Sequence, residues 1–181
     1  DFFGQRMYAQ TNKTVSAGNR TINVKPLPLA NQPSDFNGAV GDFDFAVTTS
    51  KKNLNATESL QATVEVNGKG NLKLFKLPEL ILPSALEVYD PEFTEGVRTT
   101  LAGMQGKVSN QYTIVPSFRG KYPIAPLSFS FFNPTTEKYT TLTSDEIVIN
   151  VLEGPLSADS NSAASTNSSK QSVVASENQF N

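Results

Sequence analysis

Apolar and polar residues alternate along the central part of the chain. Phe43, Phe45 and Val47 fall on one face of an extended segment, and Asp42 and Asp44 fall on the other. Similar alternation, or a shorter apolar run, recurs in residues 60–66, 72–75, 86–89, 97–102, 109–115, 127–131 and 147–151. Because a period of two residues is typical of half-buried strands, the pattern predicts seven or eight short β-strands.

Turn and breaker residues separate these runs. Asn67-Gly68 predicts a tight turn, and other runs end at Asp90-Pro91, Arg119-Gly120 and Asn133-Pro134. Helical periodicity over eleven or more residues is absent from this central part, and the 11 prolines are spread along the chain. Leu77–Leu82 makes at most one helical turn or an irregular crossover. Short strands at this spacing predict an all-β fold, an immunoglobulin-like antiparallel β-sandwich over residues 38–153.

The residues before the predicted sandwich look like a connection to something else. Residues 1–26 contain one strand-like run, Thr21–Lys25, and we interpret them as the end of a preceding immunoglobulin-like domain or an N-terminal extension. The alternative is that this strand adds to the edge of the same sandwich. Residues 27–37 then form a Pro-rich linker, and Asp1–Gly4 looks like the interior of a longer protein.

The residues after the predicted sandwich change character. Residues 154–181 are rich in Ser, Asn and Ala and contain few large apolar side chains. Such a segment cannot bury enough surface to offset the entropy lost on ordering, so we expect a flexible C-terminal tail.

The side-chain inventory excludes several classes of chemistry. The chain has no Cys, His or Trp, which removes His- and thiolate-ligated zinc, Ser-His-Asp and Cys-His catalysis, and disulfides. With 15 Lys and Arg against 17 Asp and Glu, the net charge of −2 argues against nucleic acid as the main partner. No run approaches the ~18 apolar residues that a membrane-spanning helix needs.

Carboxylates are the remaining acid–base groups near neutral pH. Asp42 and Asp44 share a strand face, and Asp90, Glu92 and Glu95 cluster in a predicted loop. Neither group lies in the apolar setting that a buried general acid requires. We therefore predict no catalytic residue, no cofactor and no metal site. A structural calcium on Asp90 and Glu92 stays an open alternative, because carboxylate oxygens are calcium ligands.

The segment Gly68–Lys73 is rich in glycine but does not resemble a phosphate-binding loop. It has two of the three glycines of a dinucleotide-binding loop and lies between predicted strands, where no helix can receive a phosphate. We interpret it as a hairpin in which two backbones approach closely.

Two groups of residues suggest contact surfaces. Arg119, Lys121 and Tyr122 lie in the predicted loop 117–125, a polar and aromatic tip of the kind at which sandwich domains bind partners, with an ordinary turn as the alternative. Phe132 has the opposite parity from its apolar neighbours. Contact with a preceding domain or a partner protein would explain this parity, and so would a strand irregularity or packing at a sheet edge.

Several phrases occur together in an order that resembles one protein family. They are Val24–Pro28, Phe36–Phe43, Gly68–Lys73, Tyr89–Pro91, Tyr112–Pro116 with Arg119–Ile124, and Phe129–Pro134 with Tyr139. Over residues 22–152 the chain is similar to BatD, the oxygen-tolerance or aerotolerance family of bacterial cell envelopes.

The resemblance implies a longer protein with a signal peptide, tandem immunoglobulin-like domains on the periplasmic side and a membrane anchor outside this chain. It also implies association with von Willebrand A-domain membrane proteins, tetratricopeptide proteins and a MoxR-type AAA+ ATPase. It supplies no catalytic residues.

We therefore expect a non-catalytic periplasmic or envelope module that mediates protein–protein interactions in an aerotolerance or stress-related complex. The expected interaction surface comprises Tyr89, Asp90, Arg119, Lys121, Tyr122 and Phe132. One rival is a carbohydrate-binding β-sandwich module of a surface polysaccharide system, which predicts an exposed aromatic platform and is disfavoured by the lack of Trp. Another rival is a purely structural spacer, which predicts no isolable partner.

Overall fold

The computed structural model describes residues 11–156, and its secondary structure there is entirely β. The predicted all-β class is confirmed. The strands are β1 (Gly41–Thr49), β2 (Asn53–Leu54), β3 (Leu60–Gly70), β4 (Leu86–Val88), β5 (Glu92–Thr100), β6 (Gly103–Pro116), β7 (Gly120–Ile124), β8 (Ser128–Asn133), β9 (Lys138–Thr143) and β10 (Ile147–Val151). No helix in this part of the chain has the length and apolar character needed to cross a bilayer.

The larger sheet has the order β1-β3-β6, and both β4 and β5 pair with β6 on its far side. All of these pairings are antiparallel. In β3 the alternation seen in the sequence is realised, because Leu60, Ala62, Val64 and Val66 are almost fully buried. The intervening polar residues form the opposite face of the sheet.

The second layer is one long hairpin with a break in the middle of each arm. Ile124 of β7 lies opposite Ile147 of β10, and Ser128 of β8 lies opposite Thr143 of β9, four residues further along each arm. The register is therefore the same on both sides of the break, which contains Pro126. The short strand β2 adds to β10 in parallel.

Aromatic side chains fill the space between the two layers. Phe43 of β1 contacts Phe129 and Phe131 of β8, with ring centroids 6.0 Å and 5.5 Å apart. Phe75, from the irregular segment that follows β3, lies 5.4 Å from Phe129. Burying each of these rings stabilises the fold by about 1.5–3 kcal/mol, so this cluster holds the layers together as a β-sandwich.

The glycine-rich segment belongs to β3 and not to a hairpin turn. The tight turn expected at Asn67-Gly68 is wrong, because β3 continues to Gly70 and Gly68 pairs with Phe43. The expected close backbone approach is confirmed: a Cβ on Gly68, whose φ is +152°, would lie 2.2 Å from the carbonyl oxygen of Asp42. Glycine is required here because neighbouring backbone occupies the place of a side chain.

Other predicted elements also need correction. Residues 72–75 form turns where a strand was expected, since Leu72 and Phe75 point into the core from irregular chain. The expected loop 117–125 contains β7. Residues 77–82 form an irregular crossover with no helical turn. Strands β2, β7 and β9 had no counterpart in the sequence pattern.

The strand predicted at Thr21–Lys25 is wrong. Residues 11–30 contain no strand, and the side chains of Ile22 and Val24 are 84% and 85% exposed. An extended segment becomes a strand only when a neighbour satisfies its backbone groups, and residues 21–25 pair with no strand of the described chain. Whether these residues end a preceding domain stays a prediction.

At the C-terminal side the packed chain extends slightly beyond the expected boundary. The backbone N–H of Arg119 donates to the carbonyl oxygen of Pro155 at 3.0 Å, which ties the start of the expected tail to the sandwich. Residues 157–181 lie outside the described residues.

The segment that was expected to be a linker covers the outer face of β8 and β9. We call residues 31–39 the N-terminal cover. The ring of Phe36 lies 5.0 Å from that of Tyr139, which lies 5.1 Å from that of Phe132. Phe132 is only 7% exposed, and its backbone N–H donates to the carbonyl oxygen of Ala39 at 2.9 Å. Its unexpected parity is explained by a cover from the same chain.

A polar contact fixes the N-terminal cover to β8. The carboxylate of Asp35 accepts hydrogen bonds from the hydroxyls of Ser128 and Ser130 at 3.0 Å and 2.7 Å. Ser130 is 1% exposed and also bonds the hydroxyl of Thr141 at 2.7 Å. Buried hydroxyls in proteins are normally hydrogen-bonded, and Asp35 supplies an acceptor for the buried hydroxyl of Ser130. Asp35 therefore attaches the N-terminal cover to β8.

Candidate interaction surfaces

The edge of the larger sheet contains a β-bulge at the Tyr89-Asp90-Pro91 motif. Val88 of β4 lies opposite Ile114, and Glu92 of β5 lies opposite Gln111. Three residues on the edge therefore face two residues on β6, which is one residue too many for a regular ladder. The motif thus adds one residue between β4 and β5, which both pair with the same side of β6.

The bulge decides which face the following side chains occupy. Phe93 lies opposite Asn110, and Asn110 lies opposite Val64, a fully buried core residue. Because directly opposed residues project to the same face, Phe93 lies on the core-side face of the sheet. Its side chain is nevertheless 58% exposed, and the main strand contacts of β5 in the described chain are with its neighbour β6.

A groove of about 530 Å³ opens beside Phe93, and we call it the β5 groove. One wall is the bulge and β5, and the other wall is the irregular segment after β3. Its lining includes Phe75, Leu77, Leu80, Asp90, Phe93 and Tyr112. The backbone N–H of Leu80 donates to the hydroxyl of Tyr112 at 3.4 Å, and an ion pair joins Lys73 to Glu95. Both contacts hold the far wall against the sheet.

Tyr89 lies at the start of the bulge and is 52% exposed. Its hydroxyl donates a hydrogen bond to the carboxylate of Glu87, which raises the pKa of Tyr89 because deprotonation would remove the bond and place two negative charges together. Tyr89 and Glu87 therefore form an exposed polar pair at the start of the bulge.

Arg119 and Lys121 belong to a different groove. This β7 groove is also lined by Asn53 and Asn150, whose side-chain amides hydrogen-bond to each other at 2.9 Å. Leu152 is 63% exposed beside them. The structure therefore brings Arg119 and Lys121 together but assigns them to a different surface from Asp90.

The other two candidate residues have internal contacts. Tyr122 is half-buried against the core, and its hydroxyl donates to the carbonyl oxygen of Phe118 at 2.9 Å. Phe132 lies beneath the N-terminal cover. These side chains offer little surface to a partner, so the exposed candidates are Tyr89, Asp90, Arg119 and Lys121.

The carboxylates do not converge. Within residues 11–156 no group of three or more His, Cys, Asp or Glu side chains is arranged to hold a metal ion. Asp42 accepts a hydrogen bond from the side-chain amide of Asn133 at 3.1 Å, and Asp44 is exposed on the outer face of β1. The geometry of the described residues offers exposed edges and grooves for contact.

Sequence reasoning missed Phe93, the side chain that marks the β5 groove. The Asp90-Pro91 dipeptide was recognised as a break, but a bulge is a relation between two strands. Only the register with β6 shows that Phe93 turns toward the core side.

These features define the chain as a β-sandwich domain with an open, bulged edge. A family model described as the BatD DUF11-like domain matches residues 47–151, more than half of the chain. The protein therefore belongs to the BatD family, whose members are envelope-associated proteins and which is not a known enzyme family. No curated protein and no solved structure matches the chain.

Proposed function

We propose that this domain is a non-catalytic module that mediates protein–protein interactions in an aerotolerance or stress-related complex on the periplasmic side of the cell envelope. Its membership of an envelope-associated family supports the setting. The lack of converging carboxylates in the described residues is consistent with a binding role. The expected partners are von Willebrand A-domain and tetratricopeptide envelope proteins of the same system.

One observation carries the proposal. Phe93 projects from the core-side face of the larger sheet, where aromatic residues normally pack, yet most of its surface is exposed. A large apolar side chain at the mouth of an apolar groove is typical of an interaction site. Tyr89 and Asp90 lie on the adjoining bulge, so the candidate residues at this edge belong to the same surface.

The β7 groove is a second part of the proposal. Arg119 and Lys121 place two cations beside exposed Leu152, which suits an acidic and partly apolar partner surface. A module with two separate contact surfaces can hold two members of one complex.

The test is a titration of the purified 181-residue chain with a von Willebrand A-domain protein of the same envelope system, followed by calorimetry. We expect Phe93→Ala and Asp90→Ala to weaken binding at least about tenfold, since buried apolar and charged anchors dominate interface energies. Arg119→Ala and Lys121→Ala are titrated in parallel with the tetratricopeptide protein.

Matched controls separate contact from folding. Leu101→Ala removes an exposed side chain at the tip of the β5–β6 turn, and Lys138→Ala removes an exposed lysine from β9. Both should leave affinity unchanged, and all variants should keep the melting temperature of the parent chain. Failure of both partner classes to bind would favour the spacer function, and binding of glycans through Tyr89 and Phe93 would favour the carbohydrate-binding function.

A further inference from the structure

The outer edge of β5 is long and open. β5 spans nine residues and pairs with β6 along one side, and no described strand pairs with its other side. In an antiparallel edge strand, alternate residues direct their backbone N–H and C=O groups away from the sheet. Those of β5 therefore face solvent in this structure.

β5 has few of the features that normally block such an edge. Natural edge strands are protected by proline, charged side chains (especially lysine), inward-pointing charges, bulges or covering segments. Glu95 is a charged residue on the core-side face of β5, where its charge is paired with Lys73. Pro91 and the bulge lie before β5 begins, and within Glu92–Thr100 there is no proline or lysine and a single arginine, Arg98. By contrast β7, which has an open outer edge among the described strands, carries Pro123 in its middle.

The open edge is continuous with the β5 groove. Phe93 and Val97 lie on the core-side face of β5, opposite Asn110 and Gly106. A strand added beside β5 would place its own core-side side chains next to Phe93 and against the far wall of the groove, which presents Leu77 and Leu80. Apolar residues at alternate positions of the incoming strand fit this surface.

Charge defines the rest of the incoming strand. The groove lining carries the charged side chains Glu79, Asp90 and Lys76. On the opposite face of the same edge Glu87, Glu92 and Arg98 are exposed, so carboxylates outnumber cations by four to two. Glu95 is already paired with Lys73. The residues of an added strand that alternate with its apolar positions share the outer face with Glu92, so lysine or arginine there complements this net acidic edge.

We infer that β5 receives an extended segment of a partner by β-strand addition. Backbone hydrogen bonds to the outer edge of β5 supply affinity, apolar side chains enter the β5 groove beside Phe93, and Lys or Arg side chains meet Asp90 and Glu92. This inference rests on the proposed interaction function and names the binding mode and the chemistry of the partner segment.

The experiment uses the full chain and a defined probe, a nine-residue peptide in which Val and Lys alternate. Binding is followed by NMR chemical shifts and by amide hydrogen exchange. We expect slower exchange at alternate amides of Glu92–Thr100 and shifts at Phe93. Replacing Lys by Glu in the peptide, or methylating the backbone nitrogens of alternate residues, should weaken binding at least about tenfold because charge pairing or backbone donors are lost.

Protein variants complete the test. Phe93→Glu should abolish peptide binding, and Leu101→Glu, which adds the same charge at the neighbouring turn, should not. Equal binding by the Glu peptide, or protection confined to β7 and β10, would overturn the inference. If the von Willebrand A-domain protein loses affinity for the Phe93→Ala and Phe93→Glu chains but leaves amide exchange in Glu92–Thr100 unchanged, strand addition at β5 fails while the proposed function stands. If the peptide binds β5 but neither partner class binds the chain, the proposed function fails.

Discussion

Phe132 and Phe93 lie in different sheets of this β-sandwich and differ in how much of each side chain the rest of the chain covers. Phe132 in β8 projects away from the central core, but the N-terminal cover and Tyr139 bury it to 7% exposure. Phe93 in β5 projects to the core side, but it is 58% exposed, and the main strand contacts of β5 in the described chain are with its neighbour β6. The face of the strand alone therefore does not decide burial.

The two regions also differ in how they are held. At β8 and β9 the N-terminal cover is fixed by the carboxylate of Asp35 and the ring of Phe36. At β5 the irregular segment after β3 contacts the sheet through Tyr112 and the pair Lys73–Glu95, and it leaves a groove. One surface is completed by the chain itself, and the other is open to a second molecule.

The largest expected effect separates the two phenylalanines directly. Phe132→Ala should lower the free energy of unfolding by about 3–5 kcal/mol, because it leaves a cavity beneath the N-terminal cover. Phe93→Ala should change it by no more than about 0.5 kcal/mol, because the ring is mostly in water already. Urea denaturation of both variants measures the contrast, and equal losses would break the comparison.

The next prediction concerns the polar anchor of the N-terminal cover. Asp35→Ala should lower the free energy of unfolding by about 1–3 kcal/mol, because the hydroxyls of Ser128 and Ser130 lose their shared acceptor. Asp145→Ala, at an exposed position before β10, serves as the control. Hydrogen exchange should also become faster in β8, and unchanged exchange there would mean that Asp35 does not anchor the cover.

A smaller effect is expected at the far wall of the β5 groove. Glu95→Gln removes the charge that pairs with Lys73, and both side chains are partly exposed. Because solvent screens such pairs, the loss of stability should be about 0–1 kcal/mol. Thermal unfolding at low and high salt checks this, with Glu146→Gln as the control. A loss as large as that of Phe132→Ala would show that this wall is as firmly built as the N-terminal cover.

The smallest expected effect on stability is at the exposed ion pair between Lys51 and Glu58, which lies outside both regions. It shows how much a single surface ion pair contributes to the stability of this domain. The ammonium group of Lys51 donates a hydrogen bond to Glu58 at 3.2 Å, which lowers the pKa of Glu58 below 4.5. The resulting stability is present above pH 4.5 and is lost as the pH falls through the lowered pKa.

Glu58→Gln should therefore be slightly less stable than the parent near pH 7, and the difference should vanish well below pH 4.5. Melting temperatures across this pH range measure it. A difference that grows toward acid pH would contradict the assigned cause.

The strands that carry the core were predictable from the sequence because burial of one face imposes a period of two. Residues 41–47, 60–66 and 147–151 all fall within observed strands. Strand β9 was not predictable from the sequence, because Lys138–Thr143 is mostly polar and is ordered by pairing with β8. The same limit explains the failed strand at residues 21–25, where the apolar pattern is present but these residues belong to no strand of the described chain.

The surfaces were less predictable because they depend on contacts between distant parts of the chain. Asp35 and Ser130 are 95 residues apart in sequence, so the cover looked like a linker. Tyr89 and Asp90, which the sequence predicted as part of an interaction surface, are exposed, and their role in binding stays a prediction. The position of Phe93 depends on the register across β6. The roles of Arg119 and Lys121 at the β7 groove stay predictions.

The most direct test of the central claim is amide hydrogen exchange of the full chain with and without the proposed partner, a von Willebrand A-domain protein of the same envelope system. If the open β5 edge is the docking surface, the partner will slow exchange at alternate residues of Glu92–Thr100 and will leave β8 and β9 unchanged. Protection of β8 and β9, or protection at the β7 groove with β5 unaffected, would contradict the account.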